Sequence, residues 1–163
     1  MVHVGSIAAA LVLLAVANSL PIVARKLLGD RFATPIDRGR CLPDGRPVFG
    51  QSKTIRGVVL SVIGTTLVAG LAGIGWATGA GVGATSMAGD LLSSFLKRRL
   101  RLEVHARSVG LDQIPESLIP MLVFRGDLGL SWVDIAIGIV AFLVLELLLS
   151  RGLFRLRIRD RPW

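Results

Sequence analysis

Tyrosine is absent from this sequence, and cysteine occurs once, as Cys41. A single thiol excludes an intrachain disulfide and leaves the redox compartment open. Acid is scarce: 11 Asp and Glu face 19 Lys and Arg, for a net charge of +8. The larger absence is of charge altogether. Residues 4–24 and 57–89 carry none, and residues 132–150 carry only Asp134 and Glu146. Soluble domains are roughly 45–50% apolar with glycine counted. Here 52% of residues are hydrophobic before 19 glycines are added, and the mean hydropathy is +0.66. These absences exclude an ordinary soluble domain. No internal repeat or low-complexity tract points to a solenoid or a disordered chain.

What is present fits an all-α integral membrane protein with one transmembrane domain, 1–163. A helix needs about 20 residues to cross the hydrocarbon core. Five transmembrane helices are expected, over about residues 4–24, 57–76, 79–98, 114–126 and 132–151, with loops over 25–56 and 99–113. The second and third share one 42-residue stretch, 57–98, folded back near "GWATGAG". The fourth is the weakest, being short and containing Pro120.

Charge supports that fourth span. Eight Lys and Arg fall within 25–56, five within 97–107 and five within 151–161, which leaves only Arg125 elsewhere. If the fourth segment crosses, eighteen of the nineteen cations share one side. Cytoplasmic loops carry the Lys/Arg excess. The N-terminus is therefore expected outside and the C-terminus in the cytoplasm, in a multi-pass protein of the cell membrane. On this reading the positive charge sets topology, and no nucleic-acid partner is expected.

The first segment has a second reading as a cleaved signal peptide, because Ala15 and Ala17 form an Ala-x-Ala site. A signal peptide wants a basic start, and "MVHVGS" has no Lys or Arg. Glycines 64, 70, 73, 75, 79, 81 and 83 read as close helix packing.

The chemistry-bearing residues gather on the cationic side. Asp90 sits inside "MAGDLLSSFLKRRLR", on an otherwise apolar helix. An Asp at the centre of a spanning helix costs about 2.5–3.5 kcal/mol and usually faces a bundle interior. At 100° per residue, Ser94 lies about 40° and Lys97 about 20° from Asp90 on the helical wheel. Arg101 also lies about 20° from Asp90, so a polar stripe leads down to the cytoplasmic surface. Its bland reading is an Asp90–Ser94–Lys97 packing arrangement. The loop 25–56 is long, and "FGQSKTIRG" sets Lys53, Thr54 and Arg56 among small residues before a span. Such a stretch suits an anion, although it is no Walker A loop. Arg25, Lys26 and Arg31 read as positive-inside anchors. Asp112 and Gln113 precede a Pro-started segment, in which Glu116 either tunes the helix end or works in the site. Asp90 and Asp112 together suit a hard cation, since Mg²⁺ takes one or two carboxylates plus substrate phosphates.

The stretches "ANSLPIVARKL", "PIDRGRCLPDGRPVFGQSKTIRG", "GDLLSSFLKRRL" and "GLDQ" resemble CDP-archaeol synthases, a family related to phosphatidate cytidylyltransferases. The likeness runs from about Ala17 to Gln113. It implies transfer of a cytidylyl group from CTP to a lipid phosphate with Mg²⁺, at the cytoplasmic membrane face, by a membrane-embedded enzyme; the sequence leaves the oligomeric state open, a homodimer included. By matching position it implies catalytic roles for Lys53, Arg56, Asp90 and Asp112. Asp90 and Asp112 would hold the metal, and Asp37, Thr54, Ser94, Lys97, Arg98 and Gln113 would bind substrate. The sequence departs from the family pattern at Ile55, at Arg101 and at Pro115, where the family has a second acid that Glu116 stands one residue beyond. A catalytically inactive lipid-binding or accessory protein on the same scaffold is the alternative. A channel or transporter would need polar residues through the full depth, and the first and last spans offer little beyond Asn18 and Glu146.

Overall fold

The computed structural model describes residues 2–102 and 110–155, with side chains through residue 150. Arg107, Arg157, Arg159 and Arg161, counted above as cytoplasmic cations, lie outside the described residues. So do part of the loop 99–113 and the side chains of Arg151 and Arg155. Among the described residues there are five helices and two isolated bridges. The helices are α1 (Val4–Leu28), α2 (Ile55–Leu71), α3 (Trp76–Arg99), α4 (Gln113–Val123) and α5 (Trp132–Arg155). α2 packs on α1 and α3, α4 on α3 and α5, and α5 closes back on α1.

The apolar runs make the helices, and their ends follow local chemistry. α1 continues four residues past the charge-free run. Its last turn holds Arg25 and Lys26, where cations complement the helix dipole. Thr54 caps α2, accepting the Gly57 N–H at 3.2 Å. The α2–α3 turn falls earlier than the sequence implied: Trp76 opens α3 instead of closing the second helix. Gly73 and Gly75 make the turn at φ +73° and +119°, a region that disfavours side chains.

The distribution of side chains is that of a bundle facing lipid. α1 and α5 are long and apolar enough to cross a membrane, with mean hydropathies of 2.3 and 2.4. Large apolar residues such as Val12, Leu67, Val140 and Leu148 point outward. Ser61, Thr65, Ser86, Ser93 and Ser117 are fully buried. All but Ser86 donate to carbonyls of their own or a neighbouring helix. Every helix also contributes to one apolar core, for example Leu13, Ala69, Val82, Met121 and Phe142.

α4 has 11 residues, about 16 Å of helix, against a hydrocarbon core of about 30 Å. The chain still runs the length of the bundle. The first turn of α4 lies against Gly89 of α3, and Phe124, just past its end, lies against Gly81. Leu128 and Leu130 then join the core beside Ile7. The start of α5 meets the start of α1, where His3 Nδ1 lies 2.8 Å from Asp134 Oδ2. At the other end, the 29–54 loop is tied down on α3. Arg46 donates to the Arg98 carbonyl at 3.2 Å, Arg99 donates to the Pro47 carbonyl at 2.8 Å, and Arg99 pairs with Asp44.

Candidate active site

The site lies under that loop, between α3, α4 and the start of α2. Lys53 Nζ donates to both oxygens of Asp90, at 2.5 and 2.6 Å. Lys97, two turns along α3, donates to Asp112 at the start of α4, at 2.7 and 3.0 Å. Asp90 thus pairs with Lys53 from the loop, not with Lys97 of its own helix. Lys97 reaches across to α4 instead. The two pairs feel one another: Lys53 is attracted by Asp112 as well as by Asp90, and Asp90 by Lys97. Glu116, buried at the first turn of α4, adds its charge to the field on Lys53 and Asp90. All five side chains are largely withdrawn from solvent, with Asp90 keeping 19% of its side chain exposed and Glu116 5% of its surface. Burial opposes the charge on Lys53, yet Asp90 and Glu116 outweigh it and raise the lysine's pKa.

The other candidates take supporting places. Asp37 accepts the N–H groups of Gly39, Phe49 and Gly50 at 3.0, 2.9 and 2.8 Å, so it folds the loop around its own carboxylate. Backbone bonds between Ile36 N–H and Lys53 O, and between Ile55 N–H and Thr34 O, fix that loop to the site. Thr54 is spent on capping α2. Arg56 donates to the carbonyls of Gly29 and Arg31, which staples the end of α1 and does not bring it onto Asp90. Ser94 is buried on α3. Arg98 is buried and donates to the Leu102 carbonyl at 3.1 Å, with Gly50 alongside its Nε. Gln113 accepts the Gly110 N–H at 2.7 Å and shapes the turn into α4.

The arrangement brings two ammonium groups and three carboxyl groups into one buried cluster, capped by a cationic loop. Such a site can seat a polyanion together with a divalent metal. Among the described residues, no three His, Cys, Asp or Glu side chains converge closely enough to hold a metal alone. One or two carboxylates completed by phosphate oxygens is the donor set Mg²⁺ prefers, and Asp90 and Asp112 are the carboxylates that would contribute to it.

A family model described as CarS-like CDP-archaeol synthase matches residues 9–77. CDP-archaeol synthase of Sulfurisphaera tokodaii is 34% identical over 138 residues, which covers 80% of this chain and 82% of that protein. The chain belongs to the CDP-archaeol synthase family. The Sulfolobus acidocaldarius synthase is similarly related, at 35% identity over 80% of this chain and 83% of its own. A solved structure described as an intramembrane enzyme for archaeal membrane lipid biosynthesis superposes with a TM-score of 0.67, at 26% identity. It covers 85% of this chain and 91% of that one. As a CDP-archaeol synthase homologue the chain is a membrane protein and a CTP-dependent lipid cytidylyltransferase. Sequence reasoning missed that Glu116 is buried within the field of Asp90. Its available signal was Gly89 beside Asp90 together with an acid one turn into a Pro-started helix.

Proposed function

We propose that this chain moves CMP from CTP onto an archaeol-type lipid phosphate at the cytoplasmic face of the cell membrane. The relatives' names support an isoprenoid ether lipid. The observation that carries the reading is the buried Lys53–Asp90 pair beside Lys97–Asp112, roofed by a cationic loop. A phosphate oxygen of the lipid attacks the α-phosphorus of CTP. The bond from that phosphorus to the β-phosphate oxygen breaks, and pyrophosphate leaves. Two polyanions must meet, so the protein's work is positioning and electrostatic stabilisation. Lys53 and Lys97 turn from their carboxylates to phosphate oxygens, and Arg98 adds charge at the site's edge. Asp90 and Asp112 would hold Mg²⁺, which when bound neutralises the triphosphate and fixes its oxygens. Asp37 and Gln113 hold the backbone that seats these groups.

The five helices are read as five crossings, with the N-terminus outside. The path of the chain through α4 and on through Phe124, Leu128 and Leu130 to the opposite end of the bundle supports the fourth. The test is to incubate purified protein with CTP, Mg²⁺ and a panel of lipid phosphates, and to follow pyrophosphate. Release only with isoprenoid ether phosphates is expected. Equal release with acyl ester phosphates removes the archaeol assignment, and no release with any lipid removes the reaction.

A further inference from the structure

Phe32 is held in the open on a strained backbone. Its φ is +57°, in a region that bulky side chains rarely enter, and 80% of its surface is exposed. Such strain persists only where the surroundings enforce it. Arg56 donates to the carbonyls of Gly29 and Arg31. The N–H groups of Arg31 and Ala33 bond the Leu28 and Asp30 carbonyls at 3.0 and 3.2 Å. The turn after α1 is therefore a built knob that carries Phe32 outward. Leu27 and Leu28, at the end of α1, are exposed at 76% and 40%. Arg25, Lys26 and Arg31 are exposed in the same stretch, and Asp30 is its one acid. The height of the knob follows from α1. Its 25 residues make about 37 Å of helix, against a hydrocarbon core of about 30 Å. With Val4 at the opposite surface, the surplus puts the last turn of α1, and the knob after it, in the headgroup layer.

We propose that residues 25–32 form a lipid-surface anchor on the loop side of the membrane. Leu27, Leu28 and Phe32 enter the boundary between chains and headgroups, and Arg25 and Arg31 bind the phosphates of anionic lipids there. An anionic leaflet meets both halves of this surface at once, with apolar chains below and negative charge above. The arginines can lay their stems on the one and reach the other with their heads. The anchor also sets the height of the site. Arg56 ties the knob to the start of α2, and the Ile36 and Ile55 N–H groups bond the Lys53 and Thr34 carbonyls. Lys53 is thereby held near the level at which lipid phosphates lie. The anchor needs only a membrane-embedded bundle, whichever reaction the site performs.

The test uses purified full-length protein in vesicles of phosphatidylcholine, with or without phosphatidylglycerol. In a Cys41→Ser background, one protein carries an environment-sensitive NBD dye at Leu27→Cys, with Phe32 intact, and a second carries it at Phe32→Cys. The same dye on Cys41, exposed in the same loop, is the reference. Lipids of either headgroup, bearing a nitroxide at the top of the chain, serve as quenchers. Emission at both new positions is expected to be bluer and more strongly quenched than at Cys41. Adding Phe32→Ser to the Leu27→Cys protein should weaken that quenching. Labelled phosphatidylglycerol should quench at a lower mole fraction than labelled phosphatidylcholine. Arg25→Gln and Arg31→Gln should each reduce this preference by about fivefold, while quenching by the neutral lipid persists. Emission and quenching at both positions no different from Cys41 overturn the anchor and leave the surface to a partner protein. Equal quenching by the two lipids overturns the anionic assignment. If the Phe32→Cys protein does not fold, the Leu27→Cys protein decides alone. Neither readout involves CTP, so failure of cytidylyl transfer leaves the anchor standing, and failure of the anchor leaves the transfer standing.

Discussion

Lys53 and Arg56 stand three residues apart and look interchangeable in sequence, yet they have different neighbours. Lys53 is bonded to Asp90, whereas Arg56 is bonded to the carbonyls of Gly29 and Arg31. A charged hydrogen bond contributes about 1.5–3 kcal/mol, so Lys53→Ala should slow transfer by about tenfold to over a hundredfold. Arg56→Ala should instead lower the melting temperature in detergent, with a smaller loss of rate in the folded fraction. An Arg56→Ala protein that melts normally and is as slow as Lys53→Ala would return Arg56 to the phosphates. Asp37 makes a prediction about pH. Burial works against its charge, but the N–H groups of Gly50, Phe49 and Gly39 outweigh burial and hold its pKa below the ordinary 3.8. A depressed carboxylate contributes stability above its unfolded pKa and loses it as pH falls through the folded value. Asp37→Asn should therefore melt lower than wild type at neutral pH, by about 1–3 kcal/mol of stability. The gap should close as pH drops below 3.8. A gap that stays constant down to strong acid would mean that charge on Asp37 is not what orders the loop.

Helix packing depends on the missing side chains as much as on those present. A Cβ at Gly79 would stand 2.5 Å from both the Thr65 carbonyl oxygen and the Ala69 Cβ, and 2.9 Å from the Thr66 Cα. These are mostly backbone atoms, which cannot step aside, so Gly79→Ala should separate α2 from α3 at a cost of about 1–3 kcal/mol. Gly5, with nothing within 4 Å of such a Cβ, should accept Ala with equal or slightly better stability, because Ala favours a helix. Equal melting of the two variants would mean that the α2–α3 contact is looser than its geometry. The sequence made most of these helices legible, because charge-free runs of the needed length leave few alternatives. It misplaced Trp76, since an aromatic at a span's edge suits either side of a turn. α4 was legible only through the cation count, because 11 residues give too weak a hydropathy signal. In the site, Asp90, Lys53, Lys97 and Asp112 were legible as charges needing a reason to be there. Which lysine meets which acid was not, because it depends on how α4 and the loop settle on α3. For the same reason the sequence reading put Thr54 and Arg56 on substrate, whereas Thr54 caps α2 and Arg56 holds the carbonyls of Gly29 and Arg31.

At the scale of the whole molecule, the cations divide the bundle into two unlike ends. The loop end carries Arg25, Lys26, Arg46, Lys53, Arg56 and the Lys97–Arg99 cluster. The opposite end has Arg125, stacked 4.5 Å over the Trp132 ring, and the His3–Asp134 contact. A bilayer that sorts Lys and Arg to the cytoplasm would orient this object in one way. CTP is available on that same side, so the orientation and the chemistry stand or fall together. Cys41 reports on it directly. It is the sequence's one thiol, it is exposed, and it lies in the loop that roofs the site. A membrane-impermeant maleimide applied to intact cells should leave it unmodified, and the same reagent after lysis should modify it fully. Cys41→Ser should remove the signal in lysed cells without touching activity, because its exposed side chain bonds the Gly39 carbonyl of the loop. A second version with a cysteine placed at Val2, at the opposite end, should give the reverse pattern in a Cys41→Ser background. Labelling of Cys41 from outside, with Val2→Cys protected, would invert the protein. Lys53, Asp90 and the loop above them would then face a compartment without CTP, and cytidylyl transfer at this cluster would have to be abandoned even though the cluster itself remained.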